Sequence, residues 1–307
     1  MGYEKRLNSD FTDVPTLPMT HYTKYVFFSD CHRGVGNNND NFLKNQNNYF
    51  AALSHYYKNG YVYIEVGDGD ELWENRDYKN IIDIHNNIFW LLSLFYRENR
   101  LFMLYGNHDM VKKNNKYVEK NCCKYFCSVS QEFDSLFQNM KYYSGLIIKS
   151  NASEITLNVT HGHQADTWNS VFWKLSRFLV RYLWSSLEYR GVLDPTSAAK
   201  NNTRKNKTEK KLINYATHKG LFLLTGHTHK PTLGAQNPHY FNCGSCVHPR
   251  CITCIELTGF NIRLVKWHSG INPLNNTAYS YPQYPVYIKR EILADSNLLN
   301  IKNIPAK

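Results

Sequence analysis

Five short apolar runs, each followed within three residues by an aspartate, asparagine or histidine, constrain this fold more than any other feature. The runs are Tyr25–Ser29, Tyr61–Val66, Leu101–Tyr105, Ile155–Thr160 and Leu221–Leu224. Apolar runs of this length are typical of buried strands. Patterns typical of helices lie between them at Phe42–Lys58 and Ile81–Tyr96. Strands that alternate with helices predict a layered α/β fold, in which the polar strand ends meet along one sheet edge.

The residues at these strand ends are of the types that bind metal ions. They are Asp30 and His32, then Asp68, then Asn107 and His108, then His161, and finally His227 and His229. Carboxylate, amide and imidazole donors without thiolates suit Mn, Fe, Zn or Co. Two neighbouring ions need one shared carboxylate and a set of terminal ligands for each ion. The strand ends supply enough donors for such a pair.

The charge of the chain bears on its partners. Its 307 residues carry a net charge of +11, and its pI is about 9.1. This charge favours phosphate esters, nucleic acid or an acidic membrane surface, although a basic soluble protein without such partners would share it. Residues 1–20 show no secretory pattern, and no apolar run has membrane-spanning length. We therefore predict a cytoplasmic protein with reduced cysteines, and leave peripheral membrane contact open.

In chain order the strand-end motifs are Asp-x-His, Gly-Asp-x-x-Glu, Gly-Asn-His-Asp, His-Gly-His and Gly-His-Thr-His. Together they resemble the calcineurin-like metallophosphoesterase superfamily over about residues 24–267. Within it, Gly67–Trp73 and Gly226–Pro231 are most similar to the UDP-2,3-diacylglucosamine pyrophosphohydrolase-like branch. The resemblance implies a four-layer α/β/β/α sandwich. It also implies one domain over residues 1–307, with a helical cap insertion at about 165–217.

The resemblance further implies a role for each strand-end residue. One ion would be held by Asp30, His32 and His229, the other by Asn107, His161 and His227, and Asp68 would bridge both. A hydroxide between the ions would attack phosphorus in line. His108 would protonate the leaving oxygen or stabilise charge, with support from Glu71. The substrate would contact Arg33 and His163.

Several features leave alternatives open. His108 stands where the pyrophosphohydrolase branch usually has arginine, which brings the site closer to general phosphoesterases. His163 contacts the substrate in one interpretation, and in the other it hydrogen-bonds a group that supports the metal ligands. The cysteines at 243, 246, 251 and 254 have spacings known from zinc sites. Geometry disfavours that interpretation, because Cys251 and Cys254 would point to opposite faces of a strand.

The segment Trp168–Leu187 has the periodicity of an amphipathic helix with a basic stripe that includes Arg177 and Arg181. One interpretation is a structural cap packed on the core. The other is a lid that contacts a lipid-like substrate or a membrane surface, with both arginines binding the anionic substrate. In the resembled branch, an insertion at this point covers the acyl chains of the substrate.

The remaining predictions concern the C-terminal third. Cys251–Leu257 and Asn261–Trp267 flank a Thr-Gly pair, which predicts a β-hairpin. Ser197–Lys211 is polar and predicts an exposed loop or the start of a helix. The tail from Ser269 is predicted to be irregular.

These observations predict a two-metal hydrolase of phosphoester or pyrophosphate bonds, with Mn as the favoured metal and an anionic phosphorylated substrate. A nuclease or nucleotide phosphodiesterase is the first alternative, and it requires strongly salt-dependent binding of polynucleotide. We favour it less. A non-catalytic scaffold of the same fold is the second alternative, but such a scaffold would have lost ligands, and none is missing here.

Overall fold

A computed structural model describes residues 2–127, 130–166, 178, 202–234, 236–271 and 286–301. Its strands, in chain order, are β1 Thr16–Pro18, β2 Lys24–Phe28, β3 Val62–Val66, β4 Leu101–Leu104, β5 Lys124–Cys127, β6 Glu132–Ser135, β7 Tyr142–Tyr143, β8 Gly145–Lys149, β9 Thr156–Thr160, β10 Phe222–Thr225, β11 Tyr240–Asn242, β12 Cys251–Thr258, β13 Asn261–Ile271 and β14 Val286–Asn297. They form a seven-stranded sheet in the order β14-β13-β12-β2-β3-β4-β7, a five-stranded sheet in the order β1-β8-β9-β10-β11, and the hairpin β5-β6.

The helices of the described residues flank these sheets. They are α1 Tyr3–Ser9, α2 Gln46–Lys58, α3 Tyr78–Ile84, α4 Asn86–Arg97, α5 Asn115–Asn121, α6 Asn202–Lys219 and α7 Leu298–Ile301. Short 3-10 turns occur at Leu43–Asn45, Met110–Lys113 and His163–Ala165. None of the described helices combines the length and the apolar character that a bilayer crossing requires.

The two large sheets face each other across an apolar core, and helices cover their outer faces. Strand β2 shows why, because successive side chains point to opposite faces of a strand. Phe27 packs between the sheets, whereas Phe28 packs against α2 and stacks edge-on with Tyr49. On the five-stranded sheet, Leu223 packs against Leu212 of α6. The four layers are therefore α/β/β/α, and the predicted fold class is confirmed.

The helix predicted over Ile81–Tyr96 is divided in the structure. His85 separates α3 from α4, with φ −105° and ψ 32°. Its buried ring lies 3.1 Å from Asp40 Oδ2 and 3.0 Å from Gln46 Oε1. A polar side chain satisfied by two tertiary partners thus interrupts a continuous helical pattern.

The tail predicted to be irregular from Ser269 contains a long strand instead. β13 runs to Ile271, and β14 pairs antiparallel with it from Ile271↔Val286 to Asn261↔Asn297. Charged residues of β14 occupy this sheet edge, and Arg290 Nε donates to Glu256 Oε1 at 2.8 Å. Such charges are usual on edge strands, and they obscure the apolar signal. The β12–β13 hairpin itself is confirmed.

The topology places the predicted ligands. β2, β3 and β4 are parallel neighbours in one sheet, and β9 and β10 are parallel neighbours in the other. Their carboxyl ends carry every residue of the five motifs. The predicted helix Trp168–Leu187, with Arg177 and Arg181, lies outside the described residues apart from Phe178, which is exposed.

Candidate metal centre

The backbone at the strand ends has an unusual conformation. Left-handed φ values between 48° and 66° occur at five of the predicted ligands, namely Asp30, His32, Asp68, His227 and His229. For a residue other than glycine, this conformation costs about 1 kcal/mol or more. It persists where surrounding contacts fix it, and such sites cluster at functional centres. The sharp turns lie just beyond the carboxyl ends of β2, β3 and β10 and bring the donor atoms of these residues together there.

Two glycines allow the loops to approach one another. A Cβ atom at Gly106 would lie 2.6 Å from the backbone nitrogen of Asp68, and one at Gly226 would lie 2.5 Å from Asp30 Oδ2. Both contacts are closer than carbon tolerates. The glycines in Gly-Asn-His-Asp and Gly-His-Thr-His are thus required by packing between neighbouring loops.

Asp30, His32 and His229 form a first group, which we call the open cluster. His229 Nε2 lies 3.0 Å from Asp30 Oδ1 and 3.3 Å from His32 Nε2. The side chains of His32 and His229 are 14% and 13% exposed. Nitrogen and oxygen donors thus converge at a position that solvent reaches.

Asp68, His161 and His227 form a second group, which we call the buried cluster. His161 Nε2 lies 3.1 Å from Asp68 Oδ2, and these side chains are 0% and 2% exposed. His161 Nδ1 lies 2.8 Å from the Val66 carbonyl and donates to it, which directs the lone pair of Nε2 towards the cluster. The backbone nitrogen of His108 donates to Asp68 Oδ1 at 2.8 Å, which ties the loop that carries Asn107 to this cluster.

Asp68 lies between the two clusters. Its Oδ2 atom is 3.1 Å from His161 Nε2 and 3.9 Å from His32 Nε2. A single carboxylate therefore faces a histidine of each group. This is the position required of a carboxylate that bridges two ions.

The buried donor atoms of the centre fit metal ions. Within the described residues, both polar atoms of the Asn107 amide and His227 Nε2 have no hydrogen-bond partner, and Asp30 Oδ1 and His161 Nε2 have only the ion-pair contacts given above. Buried polar atoms normally have partners, because an unsatisfied one costs about 1–3 kcal/mol. These oxygen and nitrogen atoms come from four of the five strand ends, and they are of the types expected to bind divalent transition metals.

His108 lies beside the open cluster and is held from two sides. Its Nδ1 atom is 2.8 Å from a carboxylate oxygen of Glu71, and its ring stacks on Trp73 at 4.1 Å between centroids. The other Glu71 oxygen lies 2.9 Å from His32 Nδ1. Glu71 therefore orients both a predicted metal ligand and the predicted proton donor.

Burial and neighbouring charges set the pKa values here. Burial raises the pKa of Glu71, but His108 and His32 outweigh it and bring the value to about 2. Burial lowers the pKa of His108, but Glu71 and Asp68 raise it above the usual value. Burial also lowers the pKa of His229, to about 4 despite Asp30. Without metal, Glu71 is thus ionised at neutral pH, and its negative charge stabilises the protonated form of His108.

The side chain of Arg33, which was predicted to contact the substrate, lies in the protein interior. Its guanidinium is completely buried, with Nε 2.7 Å from Asp70 Oδ1 and Nη1 2.9 Å from Glu65 Oε2. His163 is also buried and packs beside His161 and His227. Burial, with His161 and His227 nearby, holds the pKa of His163 well below its usual range.

Three residues of the site escaped the sequence analysis. Trp73 stacks on His108, and the Oδ2 atom of Asp166 lies 3.7 Å from His227 Nε2. Asn242 donates to the Gly226 carbonyl at 2.7 Å and so holds the Gly-His-Thr-His turn. Asp166 follows the His-Gly-His motif closely, and this nearness is the one signal that pointed to it.

A family model of calcineurin-like phosphoesterases matches residues 23–231. The match covers more than half of the chain, and the chain belongs to this family. The family comprises hydrolases that act on phosphoesters and generally bind divalent metal ions. A comparison with curated proteins finds no match.

Solved structures of cold-active protein tyrosine phosphatases are similar over most of the chain. A point mutant shares 16% identity at a TM-score of 0.37, with 82% of this chain and 78% of that chain covered. The enzyme of a psychrophile Shewanella species shares 14% identity at 0.36, with the same coverage of 82% and 78%. Another structure of such a phosphatase shares 16% identity at 0.38, covering 85% and 80%. These TM-scores are too low to support a functional argument.

Proposed function

We propose that the chain is a dinuclear metal-dependent phosphoesterase that hydrolyses a phosphoester or pyrophosphate bond. The observation that carries this proposal is the position of Asp68, which faces a histidine of each cluster. Asp30, His32 and His229 would hold one ion, and Asn107, His161 and His227 the other. The donor chemistry suits Mn, with Fe, Zn or Co as the alternatives.

When bound, two divalent ions supply Lewis acidity for the phosphoryl oxygens and a water of lowered pKa. The chain itself contributes the proton for the leaving group. His108 donates Nδ1–H to Glu71, so Nε2 carries the transferable proton of the imidazolium. The side chain is 22% exposed, so a substrate oxygen can reach it. Stacking on Trp73 and the bond to Glu71 keep the ring in one orientation.

We place the substrate among anionic phosphoesters and pyrophosphates, which the net charge of +11 favours. The similarity of Gly67–Trp73 to the UDP-2,3-diacylglucosamine pyrophosphohydrolase-like branch supports a pyrophosphate, and His108 in place of arginine supports a general phosphoester.

We further propose that Arg177 and Arg181 bind the anionic substrate. Changing both to Ala should raise KM for an acylated phosphodiester and leave thermal stability unchanged. A loss of thermal stability together with activity would show that Trp168–Leu187 is a structural cap and not a substrate-binding lid.

The test is hydrolysis by metal-free protein reconstituted separately with Mn, Fe, Zn or Co. The panel contains a chromogenic phosphomonoester, a chromogenic phosphodiester, a nucleotide-sugar pyrophosphate and single-stranded nucleic acid. We expect hydrolysis of at least one small phosphoester or pyrophosphate, lost on chelation and restored by metal. Protein that binds two ions and hydrolyses none of the panel would contradict the proposal.

A further inference from the structure

A buried network of charged side chains joins the loops that carry the metal ligands. Its members are Arg33, Glu65, Asp70, Asp109 and Lys112, and each is at most 1% exposed. We call residues 30–33, 67–71 and 106–109 the three ligand loops, because they follow β2, β3 and β4. No step of the proposed reaction uses any member of the network.

The contacts of the network are continuous from one end to the other. Arg33 binds Glu65 through two bonds of 2.9 Å and donates to Asp70 Oδ1 at 2.7 Å. Lys112 Nζ donates to the other oxygen of Asp70 and, at 3.1 Å, to Asp109 Oδ2. Asp70 therefore lies between two buried cations, and each cation also binds a further carboxylate.

The network is built into the ligand loops themselves. Arg33 directly follows His32, and its backbone nitrogen donates to the Gly69 carbonyl at 3.0 Å. Asp109 accepts from the backbone nitrogen of Gly106 at 2.7 Å and from that of Gly69 at 3.2 Å. The side-chain and backbone contacts together connect each of the three loops to another.

Stability alone is a weak reason for a chain to keep such a network. Removing charges from water costs nearly as much as their attraction returns, so buried ion pairs add little net stability. The ligand loops do require external support, since Asp30, His32 and Asp68 all have left-handed φ values. Aromatic rings enclose the cations, with Arg33 over Phe89 at 5.2 Å and Lys112 over Tyr142 at 4.9 Å.

We propose that this network positions the metal ligands: Arg33 and Lys112 hold the three ligand loops in the shape that binds the metal pair. The inference rests on the proposed two-metal function and assigns the network no contact with substrate. This role for Arg33 differs from the substrate contact that was predicted for it.

The chain offers a closely matched control for the test. Glu65 binds Arg33 through two bonds and accepts from Tyr63 Oη at 3.2 Å. Glu256 binds Arg290 through two bonds and accepts from Tyr56 Oη at 2.7 Å, with none of these bonds reaching a ligand loop. Glu65→Gln and Glu256→Gln therefore remove the same kind of bidentate ion pair, but Glu65→Gln alone disturbs the network.

The experiment titrates metal-free protein with Mn²⁺ by calorimetry and follows amide hydrogen exchange in the three ligand loops. We expect Glu65→Gln to weaken Mn²⁺ binding by about 10-fold and Lys112→Met by up to about 100-fold, the range typical of groups that support metal ligands. Both variants should exchange loop amides faster than wild type. Glu256→Gln should lower the melting temperature and leave Mn²⁺ affinity and loop exchange unchanged.

Lys112→Arg retains a buried cation and should restore part of the affinity that Lys112→Met loses. If Lys112→Met does not fold, Asp70→Asn takes its place, because it keeps the size of the side chain and removes the charge between the cations. Wild-type Mn²⁺ affinity in Glu65→Gln and Asp70→Asn would overturn the network's role but leave the two-metal function standing. Equal losses in Glu65→Gln and Glu256→Gln would overturn it too. Wild-type protein that binds no divalent ion would overturn both proposals.

Discussion

The open and buried clusters are built on the same plan but differ in their surroundings. The histidines of the open cluster, His32 and His229, are 14% and 13% exposed, whereas His161 and His227 are 0% and 3% exposed. The open cluster lies beside Glu71 and the ring of His108. Burial favours slow exchange of an ion, and exposure favours contact with substrate. We therefore expect the open cluster to face the substrate and the buried cluster to retain its metal longer.

Loss of the shared carboxylate should have the largest effect, because Asp68 faces both clusters. Asp68→Ala should remove both ions or severely weaken their binding, and it should abolish metal-dependent hydrolysis. Metal analysis after dialysis against Mn²⁺ measures the result, with circular dichroism as the check on folding. Full occupancy by two ions in a folded Asp68→Ala protein would mean that the clusters do not share this residue.

Single histidine changes should separate the two clusters. His229→Ala should lose the ion of the open cluster and keep the other, whereas His227→Ala should do the reverse. The ion that remains in His229→Ala occupies the buried cluster, so it should leave more slowly than the ion that remains in the open cluster of His227→Ala. A chelator-exchange time course on both variants measures this. Identical release rates, or loss of both ions from either variant, would erase the distinction between the clusters.

His108 should affect the reaction without affecting the metals. We expect His108→Ala to lower kcat by about 10²–10⁴-fold, the usual contribution of a positioned acid or base, with an unchanged metal content. His268→Ala is the matched control, because this histidine pairs with Glu291 on the edge of the seven-stranded sheet. Loss of an ion from His108→Ala would show that His108 is a ligand of the open cluster.

The smallest expected effect is on the free energy of unfolding and involves Asp10, which contacts the residue before His161 of the buried cluster. Burial raises the pKa of Asp10 to about 7, although Thr160, the residue before His161, donates to its carboxylate at 2.7 Å. The folded state therefore keeps a proton that the unfolded state loses near pH 4. The contribution of the Asp10 carboxyl group to the free energy of unfolding is fully present below about pH 4 and is lost as the pH rises through about 7.

Asp10→Asn cannot ionise, so its stability relative to wild type should increase by roughly 2–4 kcal/mol between about pH 4.5 and pH 8.5. Urea unfolding of both proteins at the two pH values measures the difference. Asp13→Asn, at an exposed position of the same segment, is the control and should show no such trend. A difference that stays constant with pH would show that Asp10 is ionised in the folded protein.

The motifs made the fold class and the gathering of strand ends predictable, because short apolar runs and the residues after them are local features. Arg33 shows where local reasoning fails. A substrate contact was predicted for Arg33, but its side chain binds Glu65, which lies 32 residues away. The stacking of Trp73 on His108 and the break at His85 also depend on tertiary partners. β14 was missed because its charged residues and its distance from β13 in sequence hide the pairing.

The most direct test of the two-metal centre is a crystal structure of the Mn²⁺-loaded protein with an anomalous difference map at the manganese edge. The account predicts two peaks per chain. One should lie among Asp30, His32 and His229, the other among Asn107, His161 and His227, with Asp68 contacting both. A single peak, or a pair of peaks that Asp68 does not join, would contradict it.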